Sequence, residues 1–174
     1  MATNLQLIKT QVITSSVSSI DFDNVFSATY DVYKITTANI STVGTTNTDV
    51  DMRLLDSTGT VIDQAEYDYA EQILRTNSAF GERKATGATS LSQFFGGTDN
   101  HPESMGAVAY VFNPFDSSSY TLFTSQVSYA VATVYRGFRN IGVHKSAEQL
   151  SGVVFKAITS PKTISLEISV YGVK

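Results

Sequence analysis

Apolar and polar residues alternate one by one along most of this chain. The cleanest run is Thr163–Lys174, where Ile164, Leu166, Ile168 and Val170 alternate with Thr163, Ser165, Glu167 and Ser169. Successive side chains of a strand point to opposite faces, so this run predicts a strand with one apolar face. Val153, Phe155 and Ala157 repeat the pattern, and Ser160-Pro161-Lys162 supplies turn residues between the two runs. The pair predicts an antiparallel hairpin. Val50, Met52 and Leu54 alternate with Asp49, Asp51 and Arg53, and Asp56-Ser57-Thr58-Gly59 leads into Thr60-Val61-Ile62 as a second hairpin. Leu5–Ile13, Tyr30–Ile40, Gly106–Phe112, Tyr120–Val127 and Tyr129–Arg136 read as further strands, with Asn113-Pro114 closing one of them.

Helical periodicity is scarce. In Gln64–Arg75, Ala65, Tyr69 and Ile73 fall four apart, but Tyr67, Tyr69 and Ile73 also fit a period of two, and strand is the preferred reading. Helical turns are expected only near Leu91–Phe95. About eight to ten strands joined by short polar turns predict an all-β fold. The expected architecture is an antiparallel β-sandwich, jelly-roll-like, forming a single domain over residues 1–174.

Residues 77–104 break the pattern. Gly81, Gly87, Gly96 and Gly97 lie among small polar residues, and the stretch reads as one long loop excursion. Phe80, Phe94 and Phe95 argue that it is ordered, since a free linker has no use for phenylalanines.

Composition narrows the functions. Only 16% of the 174 residues are charged, against roughly 25% in an average globular protein. The net charge of −4 provides no field for polyphosphate, so no nucleic-acid partner is expected. Cysteine is absent, which excludes disulfides, thiol catalysis and thiolate metal sites. No apolar run is long enough to span a bilayer, so no membrane insertion is expected. The first residues, MATNLQLIKTQVI, lack a basic segment followed by an apolar one, so secretion is not expected either.

Catalytic signatures such as G-x-S-x-G, the P-loop and H-E-x-x-H are missing, and the expectation is that the chain is not an enzyme and carries no cofactor. His101, beside Asp99, and His144 are the two histidines. His101 could serve a metal or a pH-sensitive contact but reads more simply as a loop histidine. The pairs Asp21/Asp23 and Asp49/Asp51 have the spacing of calcium or glycosidase carboxylates. They read more simply as a turn and as the polar face of a strand, so no metal site is expected. Arg136-Gly137-Phe138-Arg139 sets two guanidiniums about a ring. It could stack on a sugar or meet a neighbouring subunit's carboxylate, or simply be a solvated turn.

The order of motifs resembles a β-sandwich module of virion proteins of tailed bacteriophages, particularly marine and cyanobacterial phages. It runs from Ser18-Ser19-Ile20-Asp21-Phe22 into Tyr30-Asp31-Val32-Tyr33-Lys34-Ile35 and Asp51-Met52-Arg53-Leu54. It continues through Tyr67-Asp68-Tyr69-Ala70 and Ala109-Tyr110-Val111-Phe112-Asn113-Pro114 to Ile168-Ser169-Val170-Tyr171-Gly172-Val173. The resemblance implies a structural protein exposed on the virion and assembled in the host cytoplasm. Its place would be the tail or fibre host-attachment apparatus, or a capsid decoration. Partners would be copies of itself, as a trimer or other closed ring, and other capsid or tail proteins.

Stable contacts between copies favour aromatic residues and arginine. The candidates are Phe80, Phe94, Phe95, Phe115, Arg136, Phe138 and Arg139, with ordinary core packing an equal alternative for each phenylalanine. The alternative function is a carbohydrate-binding, lectin-like module whose Tyr and Phe rings stack on a host-surface glycan.

Overall fold

The structure, a computed structural model, describes residues 4–43, 48–98, 105–131, 134–157 and 163–174. Its first strands are β1 (Leu5–Val17), β2 (Ser19–Phe22), β3 (Val32–Val43), β4 (Thr48–Asp56) and β5 (Val61–Ile62). Next come β6 (Tyr67–Arg75), β7 (Gly81–Ala88), β8 (Gly97–Thr98) and β9 (Met105–Phe112). The last are β10 (Thr121–Val131), β11 (Val134–His144), β12 (Leu150–Ala157) and β13 (Thr163–Val173). No helix occurs among the described residues. The protein is an all-β sandwich of two antiparallel sheets.

The large sheet has the order β1-β13-β3-β9-β10-β11-β6-β7. The small sheet has the order β2-β12-β4-β5, with β8 also on β4. Alternation sets the core. Met105, Ala107, Ala109 and Val111 of β9 are buried while the residues between them are half-exposed. From the large sheet Tyr33, Ile35, Phe123, Val127, Phe138, Ile168 and Val170 join them, and from the small sheet Phe22, Val50, Met52, Leu54, Val153 and Phe155. Tyr67 ties the layers with hydrogen bonds as well as packing. Its hydroxyl donates to the Ile62 carbonyl at 3.1 Å and accepts from the Leu54 amide at 3.1 Å. Burial pushes its pKa up.

The hairpin at residues 56–60 forms as expected. Leu54 pairs with Ile62 and Leu55 with Val61. The Asp56 carboxylate accepts the Thr58 and Thr60 amides at 2.8 and 2.9 Å, and Gly59 takes φ 82°. Residues 67–75 are a strand, β6, as preferred over helix.

The hairpin expected between residues 153–157 and 163–174 does not form. β12 pairs with β2 and β4 in the small sheet, whereas β13 pairs with β1 and β3 in the large one. Each strand has an apolar face, and two such faces can oppose one another across a core as well as lie side by side. The segment Tyr129–Arg136 is not a separate strand: β10 continues to Val131 and β11 begins at Val134. Arg136-Gly137-Phe138-Arg139 is therefore strand, not turn.

Residues 77–98 are built differently from the expected excursion, whose residues 99–104 lie outside the described residues. Residues 81–88 form β7, the edge of the large sheet, paired to β6. Residues 89–98 then close the free edge of β4. Leu91 exchanges backbone hydrogen bonds with Met52 at 2.9 and 3.0 Å, Gly96 accepts the Val50 amide at 2.8 Å, and β8 pairs with β4. Phe94 and Phe95, expected at an interface between copies, are fully buried. Phe94 meets Phe123 of the large sheet at 6.1 Å, and Phe95 meets Phe155 of the small sheet at 4.7 Å. Phe138 is core as well. An edge strand can do without large apolar residues, which is why β7 carried no readable apolar alternation.

Candidate functional site

Side chains of the large sheet that do not enter the core line its outer face. Strand register aligns Tyr171, Lys34, Tyr110, Thr124, Ile141, Ala70 and Lys84 in one row across the sheet. The next row holds Ser169, Thr36, Val108, Gln126, Arg139, Gln72 and Glu82. Shallow depressions follow these rows. One of 940 Å³ is lined by Arg139, Ile141, Gln72, Glu82 and Phe80. Another of 400 Å³ is lined by Tyr110, Thr124, Gln126 and Arg139. A third, of 670 Å³, is walled by Phe112, Leu122, Ile141 and Val143, and one of 340 Å³ reaches Thr36. Shared lining residues make them one trough from β3 to β7. Six strands at about 4.8 Å spacing give it a length of roughly 24 Å.

Tyr110 and Phe112 stand two apart on β9 and so share this outer face. Their ring centroids are 6.5 Å apart with planes inclined by 22°. This pair is a flat apolar surface flanked by hydroxyl, amide and guanidinium groups. Such a set can stack on the carbon face of a sugar ring and hydrogen-bond its hydroxyls.

Beneath the trough, a buried polar chain joins the sheets. The Asn140 amide donates to Ser125 Oγ at 2.8 Å, and Ser125 donates to the Phe94 carbonyl at 2.8 Å. Arg83 bridges the Glu71 carboxylate at 3.1 Å and Gln93 Oε1 at 2.7 Å. Asp51 accepts Ser90 Oγ at 2.7 Å and the Gln93 amide at 3.0 Å. Asp51 and Asp49 were expected as an exposed polar strand face, but Asp51 is buried beneath the 90–93 turn. Burial raises the pKa of Asp51 and of Glu71, outweighing the hydrogen bonds to the first and the Arg83 charge on the second.

A carboxyl held above its ordinary 4.5, as Glu71 is, contributes stability below that value and loses it as pH rises through the folded pKa. Glu71→Gln, which mimics the protonated form, is therefore expected to gain thermal stability relative to the parent as pH goes from 4 to 7. Melting curves across that range check it. A difference that stays constant or reverses removes the assignment.

The sequence candidates separate in space. Arg139 is exposed within the trough, and Phe80, 68% exposed, stands at its β7 end. Phe115 is half-buried against the core. Arg136 is half-buried near the start of β11, beside Tyr129 and away from the trough. Asp23 accepts the Asn24 amide at 2.7 Å and its side-chain amide at 2.9 Å, in a turn where Asn24 takes φ 57°. His101 and Asp99 lie outside the described residues. The readings missed Tyr110, Phe112 and Gln126. The signal was present, because Val108, Tyr110 and Phe112 make β9 apolar on both faces although only one meets the core.

No protein-family model and no curated protein sequence matches the chain. Weak likenesses to solved structures exist. The marine PL-14 alginate lyase from Aplysia kurodai aligns over 97% of this chain and 90% of its own, at 7% identity and a TM-score of 0.38. The CBM2 module of the evolved Dit of Lactobacillus casei BL23 phage J-1 aligns over 89% and 68%, at 8% identity and a TM-score of 0.19. The enzymatically active domain of bacteriophage CBA120 tailspike protein 4 aligns over 98% and 19%, at 10% identity and 0.16. All three TM-scores lie below 0.5, so none assigns a family or an activity. The expectation that the chain is not an enzyme is not supported by these likenesses, one of which is to a lyase. The physical reason is plain: missing contiguous motifs say nothing about sites assembled from separate strands of a sandwich.

Proposed function

We propose that this protein is an attachment module of a bacteriophage particle that holds an extended surface polysaccharide across the outer face of its large sheet. The observation that carries the reading is the stacked Tyr110–Phe112 pair in an open trough that also presents Thr36, Thr124, Gln126 and Arg139. The trough is shallow and runs across several strands, which suits a polymer lying along it better than a single sugar enclosed in a pocket. The phage setting rests on the colinear motif order. Leu7 and Val12 on edge strand β1 are 54% and 60% exposed, and they support side-by-side contact with another copy or another virion protein.

Affinity electrophoresis against neutral and acidic bacterial polysaccharides tests the binding. Tyr110→Ala is expected to weaken retention at least about tenfold, equivalent to roughly 1.4 kcal/mol, while the melting temperature stays near that of the parent. Arg139→Ala should do the same, more strongly for an acidic polymer. Absence of saturable retention by any polysaccharide, or retention of both variants equal to that of the parent, overturns the proposal.

A further inference from the structure

A second constellation lies away from the trough, where β11 ends and the chain turns toward β12. His144 closes β11 with its side chain fully buried, and Tyr67 packs on its ring at 5.2 Å. Its Nε2 lies 3.0 Å from Glu148 Oε1 and 3.9 Å from Glu66 Oε2. One ligand atom from each of the three residues lies within 4.8 Å of the others. Zinc bonds of about 2.0–2.2 Å set neighbouring ligand atoms of a tetrahedral site roughly 3.4 Å apart, so the three groups already stand near coordinating distance.

Charge adds a separate argument. The two carboxylates face a single ring nitrogen, and one proton there offsets at most one of their charges. Lys145, next in sequence, is engaged elsewhere, by Asp68 at 2.8 Å. A divalent ion balances both carboxylates at once. The backbone fixes the donors relative to one another, since the Lys145 amide donates to the Glu66 carbonyl at 2.9 Å. Access is provided by the carboxylates, whose side chains are 38% and 33% exposed.

We propose that Glu66, His144 and Glu148 bind one divalent transition-metal ion, of which zinc is the type. An imidazole nitrogen with two carboxylates selects such ions over calcium and magnesium, which take oxygen donors. Bound there, the ion fastens the 145–149 turn to the start of β6 and pins the chain where it leaves the large sheet for the small one. The site stands independently of polysaccharide binding.

The test uses the full chain, stripped with a chelator and titrated with zinc by calorimetry and with cobalt by visible absorption. One ion per chain is expected, with ligand-field bands for cobalt and a higher melting temperature on zinc addition. Glu66→Gln combined with Glu148→Gln should weaken binding at least tenfold while the metal-free protein keeps its fold, since both side chains are partly exposed. His101→Ala, which removes the other histidine, should leave binding unchanged. No saturable binding, binding that survives the double variant, or binding lost with His101 overturns the proposal, as does calcium binding as tight as zinc.

Discussion

Gly152→Ala yields no folded protein, or a protein destabilised by more than about 3 kcal/mol, at the upper end of what overpacking costs. A Cβ at this position of β12 overlaps the Phe22 carbonyl oxygen, and it also meets the Phe22 carbonyl carbon at 2.9 Å and Asp23 Cα at 3.0 Å. All three atoms are backbone, so no side-chain rotation relieves the clash. The chain cannot drift away either. The amides of Val25 and Phe26 both donate to the Ser151 carbonyl, at 2.9 and 3.1 Å, and hold that segment against β12. Far-ultraviolet circular dichroism and urea unfolding measure the effect. As a control, Ser151→Ala removes a buried hydroxyl that has no partner and should cost little. A Gly152→Ala protein melting within a few degrees of the parent would show that β2 and β12 can separate.

Phe94→Ala and Phe95→Ala should each cost about 3–5 kcal/mol of stability. Both rings are fully buried, and together they link Phe123 on one sheet to Phe155 on the other. Each removes most of a large side chain from a site walled by both layers, where partial collapse leaves a cavity. At roughly 2–4 °C per kcal/mol for a domain of this size, the melting temperature should fall by about 6–20 °C. The rings touch at 6.2 Å, so the two losses should not be additive. Denaturant unfolding gives the energies. Loss of self-association with unchanged unfolding would place the rings at an interface, contrary to their burial.

These two predictions sit where reading the chain succeeded least. Phe94 and Phe95 follow glycines and polar residues, and no periodicity marked them as inward-facing. Their burial comes from residues 89–98 folding back along β4, a contact about forty positions away in sequence that Leu91, Gly96 and β8 make through backbone groups. Backbone pairing leaves little trace in residue type. The trough was half legible. Arg139 was singled out, and the double-sided apolar pattern of β9 was there to be read, but the trough joins residues from six strands. The His144 cluster was not legible, because Glu66 and His144 lie far apart in the chain and meet only through the register of β6 with β11.

What the sequence determined by itself is the material: strands rather than helices, one apolar face on most of them, and the tight turn at Asp56–Gly59. These follow from short-range physics, the two-residue period of a pleated chain and the φ preference of glycine. Only tertiary structure decided which sheet each strand joined, as when β13 paired with β1, Leu5 meeting Val173, instead of with its neighbour β12. Alternation says that a strand has a face to bury, but every other amphipathic strand can cover that face equally well. The choice among them is made by contacts between residues far apart in the chain.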